Sequence, residues 1–260
     1  MKFGICSLSV IPARYEPSDK SEMVTQILFG ETYSIYEEQR KGWKKIKAAY
    51  DNYECWIDEK QSTEISEEDF IFFNNNSNFV TSEVISILKN KKTNYLIPIV
   101  IGSSLPNFSN ETIHINANEY LFEGNKINTS TLLNKKQLAE NAFLFLNTPY
   151  LWGGRSPFGI DCSGFTQIIY KLIGFKLPRD AYQQAKIGQT LSFIEESESG
   201  DLAFFDNEEG NIIHVGIMLG DNKIIHASGK VRIDSIDHQG IFNPETNRYS
   251  HKLRIIKRII

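Results

Sequence analysis

Tyr150-Leu-Trp-Gly-Gly-Arg-Ser-Pro-Phe-Gly-Ile-Asp-Cys162-Ser-Gly-Phe165 is the stretch that decides how this chain is read. Its glycines and proline make an irregular loop, and apolar residues at 165, 168, 169 and 172 then fall at helical spacing. Cys162 therefore stands at or near a helix N-terminus. Unpaired N–H groups and the positive end of the macrodipole there favour a thiolate, the nucleophile that acyl transfer needs. Upstream, Leu138–Leu146 reads as an amphipathic helix with apolar residues at 138, 142 and 145, ended by Asn147 and Pro149.

A nucleophilic cysteine needs a base that titrates near neutrality, and histidine is the natural partner. The five histidines are at 114, 214, 226, 238 and 251. Ile212–Leu219 and Lys223–Ser228 are β-rich runs flanking a hairpin signal, Leu219-Gly220-Asp221-Asn222. A loop of three or five residues centred on Gly220 puts His214 and His226 on one face, and an even-length loop breaks that register. One ring then serves as base and the other orients it. The alternative is a pair of core histidines. His114 sits alone in a strand pattern and is expected to be structural, while His238 and His251 lie in polar segments and are expected at the surface.

The rest of the chain bounds the answer. Its 260 residues leave room for two or three small domains, and 41% hydrophobic with 23% charged residues is ordinary for a globular protein. A net charge of -4 gives no electrostatic reason to propose nucleic acid or an anionic membrane as partner. Three cysteines at 6, 55 and 162 form no disulfide framework. Cys6 and Cys55 are expected to be structural. The N-terminal run is interrupted by Gly4, Ser7 and Ser9 and followed by Pro12 and Arg14, so it reads as a first strand and not as a secretory signal. The expected location is the cytoplasm. There is no metal-site spacing and no phosphate-loop pattern, so neither metal nor cofactor is expected.

Short strands with turn signals run from Met23 to Ile57, with a turn at Lys41-Gly42, and indicate a small β-barrel with Trp43 and Trp56 in its packing. Glu64–Asp69 reads as an acidic linker and Asn74–Asn76 as a loop. Further short runs at Tyr95–Ile101, Thr112–Ile115 and Tyr120–Gly124 indicate a second, divergent barrel. The expected organisation is barrels over 1–62 and 63–128 and a catalytic domain over 129–260, an α+β chain.

The order of TQILFGE, GWKKIK and YECWI resembles bacterial SH3-like (SH3b) domains, with Cys55 in the place of a usual glycine. Tyr-Leu-Trp-Gly-Gly-Arg-Ser, Gly-Ile-Asp-Cys-Ser-Gly-Phe, Leu-Pro-Arg-Asp, Gly-Asp-Leu-Ala-Phe-Phe, His-Val-Gly-Ile and Ile-His-Ala-Ser resemble the NlpC family, papain-like cysteine peptidases acting on bacterial cell-wall peptides. This resemblance covers about residues 132–258. It implies Cys162 as nucleophile, His214 as base and then acid, His226 as the orienting residue, and Tyr150 near the oxyanion. SH3b modules before such a domain resemble the γ-D-glutamyl-L-diamino-acid peptidases of murein-peptide recycling, which release L-alanyl-D-glutamate from peptides with a free N-terminal alanine. That implies substrate contacts at Asp161, Ser163, Trp152, Arg179, Tyr53 and a barrel glutamate, Glu22. Asp161 reads equally as a helix cap, and Arg179 as a loop anchor. Ala181 and Tyr182 depart from the family pattern after Leu-Pro-Arg-Asp. Two other readings remain open: a non-catalytic wall-peptide-binding protein, and an amidase or acyltransferase on the same fold. Preference for lysine or diaminopimelate, and oligomeric state, are not legible.

Overall fold

The computed structural model describes residues 1–39, 42–76, 78–130 and 135–260, so Lys41 of the expected turn and residues 131–134 at the expected domain junction lie outside them. The chain forms two compact units, Met1–Thr131 with Gly153–Pro157, and Leu132–Trp152 with Phe158–Ile260. Among the described residues no helix is long and apolar enough to cross a membrane.

In the first unit, β1 (Lys2–Ile5), β2 (Val10–Arg14), β3 (Met23–Leu28), β4 (Thr32–Gln39), β5 (Trp43–Ala48), β6 (Glu54–Asp58) and β7 (Thr63–Ile65) make one antiparallel sheet, ordered β3-β2-β6-β5-β4-β1-β7. Ile11, Ile27, Tyr33, Ile46, Cys55 and Ile57, from five of these strands, meet in one buried core, so the sheet curls about it. The acidic segment is no linker. Its first residues belong to β7, and α1 (Glu67–Asn76) follows and takes in the expected Asn74–Asn76 loop. The physical reason is a cap: Ser66 Oγ accepts the Asp69 N–H at 3.0 Å, and Glu67, Glu68 and Asp69 lie at the positive end of the helix.

Beyond α1 come β8 (Phe79–Thr81), β9 (Ile85–Asn90), β10 (Leu96–Val100), β11 (Thr112–Ile115), β12 (Asn118–Phe122) and β13 (Lys126–Asn128). They form a four-stranded sheet, β10-β9-β12-β11, and the pair β13-β8. Their core includes Leu88, Ile113, Tyr120 and Phe122, and it also takes in Ile5 and Phe29 from the first sheet's region. Arg155, from the short inserted segment, is fully buried in this unit. Its two terminal nitrogens reach the Glu31 carboxylate at 2.8 and 2.9 Å, and its backbone N–H reaches Gln26 Oε1 at 2.7 Å.

The second unit carries α2 (Lys135–Phe143), α3 (Cys162–Leu172) and α4 (Ala181–Gln184). Its sheet comprises β14 (Gln189–Leu191), β15 (Leu202–Asp206), β16 (Ile212–Gly220), β17 (Lys223–Ser228), β18 (Lys230–Ile236), β19 (Gly240–Asn243) and β20 (Arg248–Arg258), ordered β14-β20-β15-β16-β17-β18-β19. Because β19 also pairs with β20, six of these strands close on themselves. Ala203, Phe205, Met218, Ile224, Ile236, Ile241 and Ile256 are among the residues of a core in this unit. Every residue of α3 is buried, and the helix packs on β16 and β17. The nucleophile candidate is thereby presented to the strand pair that carries the two histidines.

Candidate active site

Cys162 is the first residue of α3, and Asp161 caps the helix: its Oδ1 accepts the Gly164 N–H at 2.7 Å. The same carboxylate makes a two-point ion pair with Arg179, at 3.0 and 2.5 Å, and Arg179 also donates to Ser163 Oγ at 2.8 Å. Arg179 is 1% exposed and Asp161 6%, so this charge pair is desolvated and held by its hydrogen bonds. Gln184 of α4 adds a second tie. Its side-chain NH2 donates to the Ser163 and Pro178 carbonyls at 3.0 and 2.8 Å, and its Oε1 accepts from Thr166 at 2.7 Å. Cap, ion pair and amide together fix the first turn on which the thiol stands.

The hairpin reaches its geometry by a route different from the one expected from sequence. The turn is the two residues Asp221 and Asn222, both with positive φ (47° and 54°), and Gly220 pairs with Lys223. An even turn alone places the two histidines on opposite faces. A bulge between Met218 and Gly220 shifts the register by one residue and restores the parity. His226 then stands opposite Gly216, and His214 lies two residues along on the same face. Gly216 is required by this approach, since a Cβ there would come within 2.9 Å of His226 Cβ and 2.7 Å of Ile224 Cδ1.

His214 Nε2 and His226 Nδ1 are 2.8 Å apart, and His226 Nε2 is 3.0 Å from Asp234 Oδ2. The carboxylate only accepts, so His226 carries its proton on Nε2 and its Nδ1 is an acceptor. His214 must then donate from Nε2, which leaves the Nδ1 lone pair as its base. Asp234 is buried, and Arg232 donates to its other oxygen at 2.9 Å. Burial acts to raise the Asp234 carboxyl, but the hydrogen bonds from His226 and Arg232 outweigh it and hold the group below the usual range. It is an anion that orients the relay.

The thiol differs from the expectation drawn from its helix position. Burial pushes Cys162 up to about 12, and the Asp161 carboxylate adds to that; the Val215 backbone, Arg179 and the Ser163 backbone offset only part. Burial, with His251 and His226 nearby, holds His214 well below its ordinary range. Burial thus opposes the charged form of each group taken by itself. Val215 directly follows His214, so the sulfur lies against the strand that carries the base. Tyr150 is half-buried, and burial, with Cys162 and Asp161 facing it, raises its hydroxyl, which stays protonated as a donor.

Cys162, His214, His226, Tyr150, Asp161, Ser163 and Arg179 all lie in the second unit. So does Trp152, which is 60% exposed at the end of its segment. Tyr53 and Glu22 belong to the first unit: Tyr53 packs against the core of the first sheet, and Glu22 accepts the Tyr15 backbone N–H at 2.9 Å through its carbonyl. Two residues of the site were not foreseen. One is Asp234. The other is His251, expected at the surface: it is partly buried and stacks on His214 with ring centroids 4.1 Å apart and planes 23° apart. Pairing of β20 with β15 and β19 brings it there. His214, His226 and His251 have ligand-type nitrogens within 4.8 Å of one another. An imidazole binds a metal in its own plane, however, and two near-parallel stacked rings do not converge on one ion.

Comparison with known proteins matches residues 147–249 to the NlpC/P60 family and residues 14–61 to a bacterial dipeptidyl-peptidase Sh3 domain. A gamma-D-glutamyl-L-lysine dipeptidyl-peptidase of Bacillus subtilis is 45% identical over 94 residues, which is 35% of this chain and 31% of that protein. Dipeptidyl-peptidase 6 of Lysinibacillus sphaericus is 27% identical over 255 residues, covering 86% of this chain and 88% of the relative. An NlpC/P60 family protein of Bacillus cereus with a solved structure shares the fold with a TM-score of 0.82 at 21% identity, covering 99% of both chains.

Proposed function

The chain belongs to the NlpC/P60 family of papain-like cysteine peptidases, with an SH3-like domain on its N-terminal side, and we propose that it hydrolyses the γ-D-glutamyl–L-diamino-acid bond of murein peptides bearing a free N-terminal L-alanine. The products are L-alanyl-D-glutamate and the peptide or amino acid beyond the cut, which makes it an enzyme of cell-wall peptide recycling. The observation that carries the reading is the line His214–His226–Asp234, because it gives the base beside the cysteine that opens α3 one fixed tautomer. The name of the Bacillus subtilis relative, a gamma-D-glutamyl-L-lysine dipeptidyl-peptidase, supports the choice of bond.

As substrate arrives, the Cys162 proton passes to His214 Nδ1 and the sulfur attacks the γ-carbonyl carbon of the D-glutamyl residue. The ion pair so formed stabilises itself in a site where neither partner ionises alone. Negative charge gathers on the carbonyl oxygen, towards which the Cys162 backbone N–H at the α3 N-terminus and the Tyr150 hydroxyl are the donors; one such donor is worth about 3–4 kcal/mol. His214 returns the proton to the departing amine as the C–N bond breaks, leaving a thioester. Water, deprotonated by His214, then hydrolyses the thioester, and the proton goes back to the sulfur.

The test is release of the dipeptide from L-alanyl-γ-D-glutamyl-L-lysine, followed by mass spectrometry, with the wild type and Cys162→Ala. Release by the wild type and none by the variant supports the reading; equal release by both refutes it. N-acetylating the alanine should strongly reduce cleavage. Full activity on the acetylated peptide would remove the free amine from the proposal.

A further inference from the structure

His251 lies two residues past the end of the family match, on the C-terminal strand β20, and no catalytic step described above uses it. Yet it covers the proposed base more closely than any other aromatic ring does. His214 is held at Nε2 by His226, on one face by His251 at 4.1 Å, and at a tilt by Phe205 at 5.7 Å. The His251 ring is itself fixed: Nδ1 is 2.9 Å from Ser250 Oγ, Phe205 meets it edge-on at 5.8 Å, and its backbone pairs with Ile241. A tip of the His214 ring that would carry Nδ1 away from the nucleophile has to displace this stack.

We propose that His251 is a positioning residue that acts through His214, holding the base ring flat and keeping it chargeable only while His251 is itself neutral. The inference rests on the reading of His214 as the base. In the forward step His214 becomes an imidazolium, and a neutral ring face alongside accommodates that charge. A protonated His251 would set a second cation at stacking distance and oppose the step.

The groups facing His251 bear this out element by element. β16 presents His214, β17 presents His226 and β18 presents Asp234, while β15 and β19 present the uncharged Phe205 and Ile241. Burial and His226 hold His251 down to about 4, and Asp234 works in the opposite direction. Asp234 is already bonded to His226 and Arg232, so the neutral ring prevails across the working range. The coupling is confined to mildly acid conditions, where the acid limb of reactivity should carry two protons instead of one.

The test avoids any assumption about the peptide substrate. Alkylation of Cys162 in the full chain by iodoacetamide, resolved by mass spectrometry, is followed across acid and neutral pH for the wild type, His251→Phe and His251→Ala. His251→Phe keeps a flat ring but no titration, so its neutral rate should stay within about threefold of wild type while its acid limb becomes shallower and moves to lower pH. His251→Ala removes the stack and should lose about tenfold at neutral pH. Superimposable profiles for all three proteins, or equal losses in both variants, overturn the proposal. Histidine-ring NMR on the wild type covers the case of a variant that does not fold: the His214 resonances must shift as His251 titrates, and an unmoved His214 overturns it. His214→Gln separates the two readings. If that variant keeps the wild-type profile, the base assignment itself falls and takes the His251 role with it. If it loses the profile while the two His251 variants keep it, only the His251 role falls.

Discussion

Cys6 and Cys55 in the first unit and Cys162 in the second are alike in the properties by which a cysteine is usually judged. All three are free and buried, and burial is the main force pushing each thiol upward. They differ in what surrounds the sulfur. Cys6 donates to the Leu8 and Ile27 carbonyls at 3.1 and 3.4 Å, and Cys55 faces the Asp51 and Glu54 carboxylates. Among the described residues, the groups set against these two sulfurs are backbone carbonyls, carboxylates and Arg155, none of them an imidazole base. Cys162 has the Val215 and Ser163 backbones, a helix end, and a histidine strand whose base has its tautomer fixed from behind. The resting acidity of a thiol therefore does not pick out the nucleophile in this chain. The fixed proton acceptor does.

The sharpest way to break this contrast is substitution of the cysteines themselves. Cys162→Ala should lower kcat for dipeptide release by more than about 10³-fold, whereas Cys6→Ala and Cys55→Ala should keep it within about threefold and cost only ~1–2 kcal/mol of stability. Steady-state kinetics and denaturant unfolding of the three variants separate the outcomes. A second contrast sets the buried charges of the two units side by side. Glu31→Gln leaves the Arg155 guanidinium buried without its anion and should destabilise the first unit by about 3–5 kcal/mol in urea unfolding. Replacing both residues by apolar ones of similar volume should recover much of that loss.

Asp234→Asn retains the shape behind His226 but removes the charge that fixes its proton on Nε2. It should lower kcat by about 10²-fold with little change in KM, and ring-nitrogen NMR should show His226 in mixed tautomers. The smallest expected effect is on stability against pH. A histidine in the unfolded chain gains a proton below its ordinary 6.5, while folded His251 stays neutral down to about 4. In that window the unfolded state binds more protons, so stability falls as pH falls, and His251→Phe should flatten the slope. Thermal unfolding across the window checks it.

The parts of the site that could be read from sequence are those set by short-range pattern. The bounds of α3 follow from apolar residues at 165, 168, 169 and 172 behind a capping Asp161. The pairing of His214 with His226 was legible only as a parity condition on the hairpin. The turn violates that condition and a bulge at residue 219 repairs it; Gly220, at φ 89°, is its sign in the sequence, but a glycine beside a turn fits a plain hairpin equally well. Asp234 is reached through the register of β17 with β18, in which it lies two residues from the partner of His226. His251 sits in a polar run whose burial comes from pairing with β15, some 50 residues earlier. In the first unit, the acidic run starting at Glu64 has the composition of a linker, yet Ser66 and Asp69 form a helix cap. Composition averages over a segment, and a cap depends on two positions within it.

The central claim is that His214, held by His226 and Asp234, makes Cys162 the reactive thiol of the three. Residue-resolved alkylation of the native chain by iodoacetamide in mildly acid buffer, with wild type and His214→Gln side by side, tests it most directly. Cys162 should be modified well before Cys6 and Cys55 in the wild type, and this lead should vanish in the variant. Equal rates for the three cysteines, or an unchanged lead without His214, would contradict it.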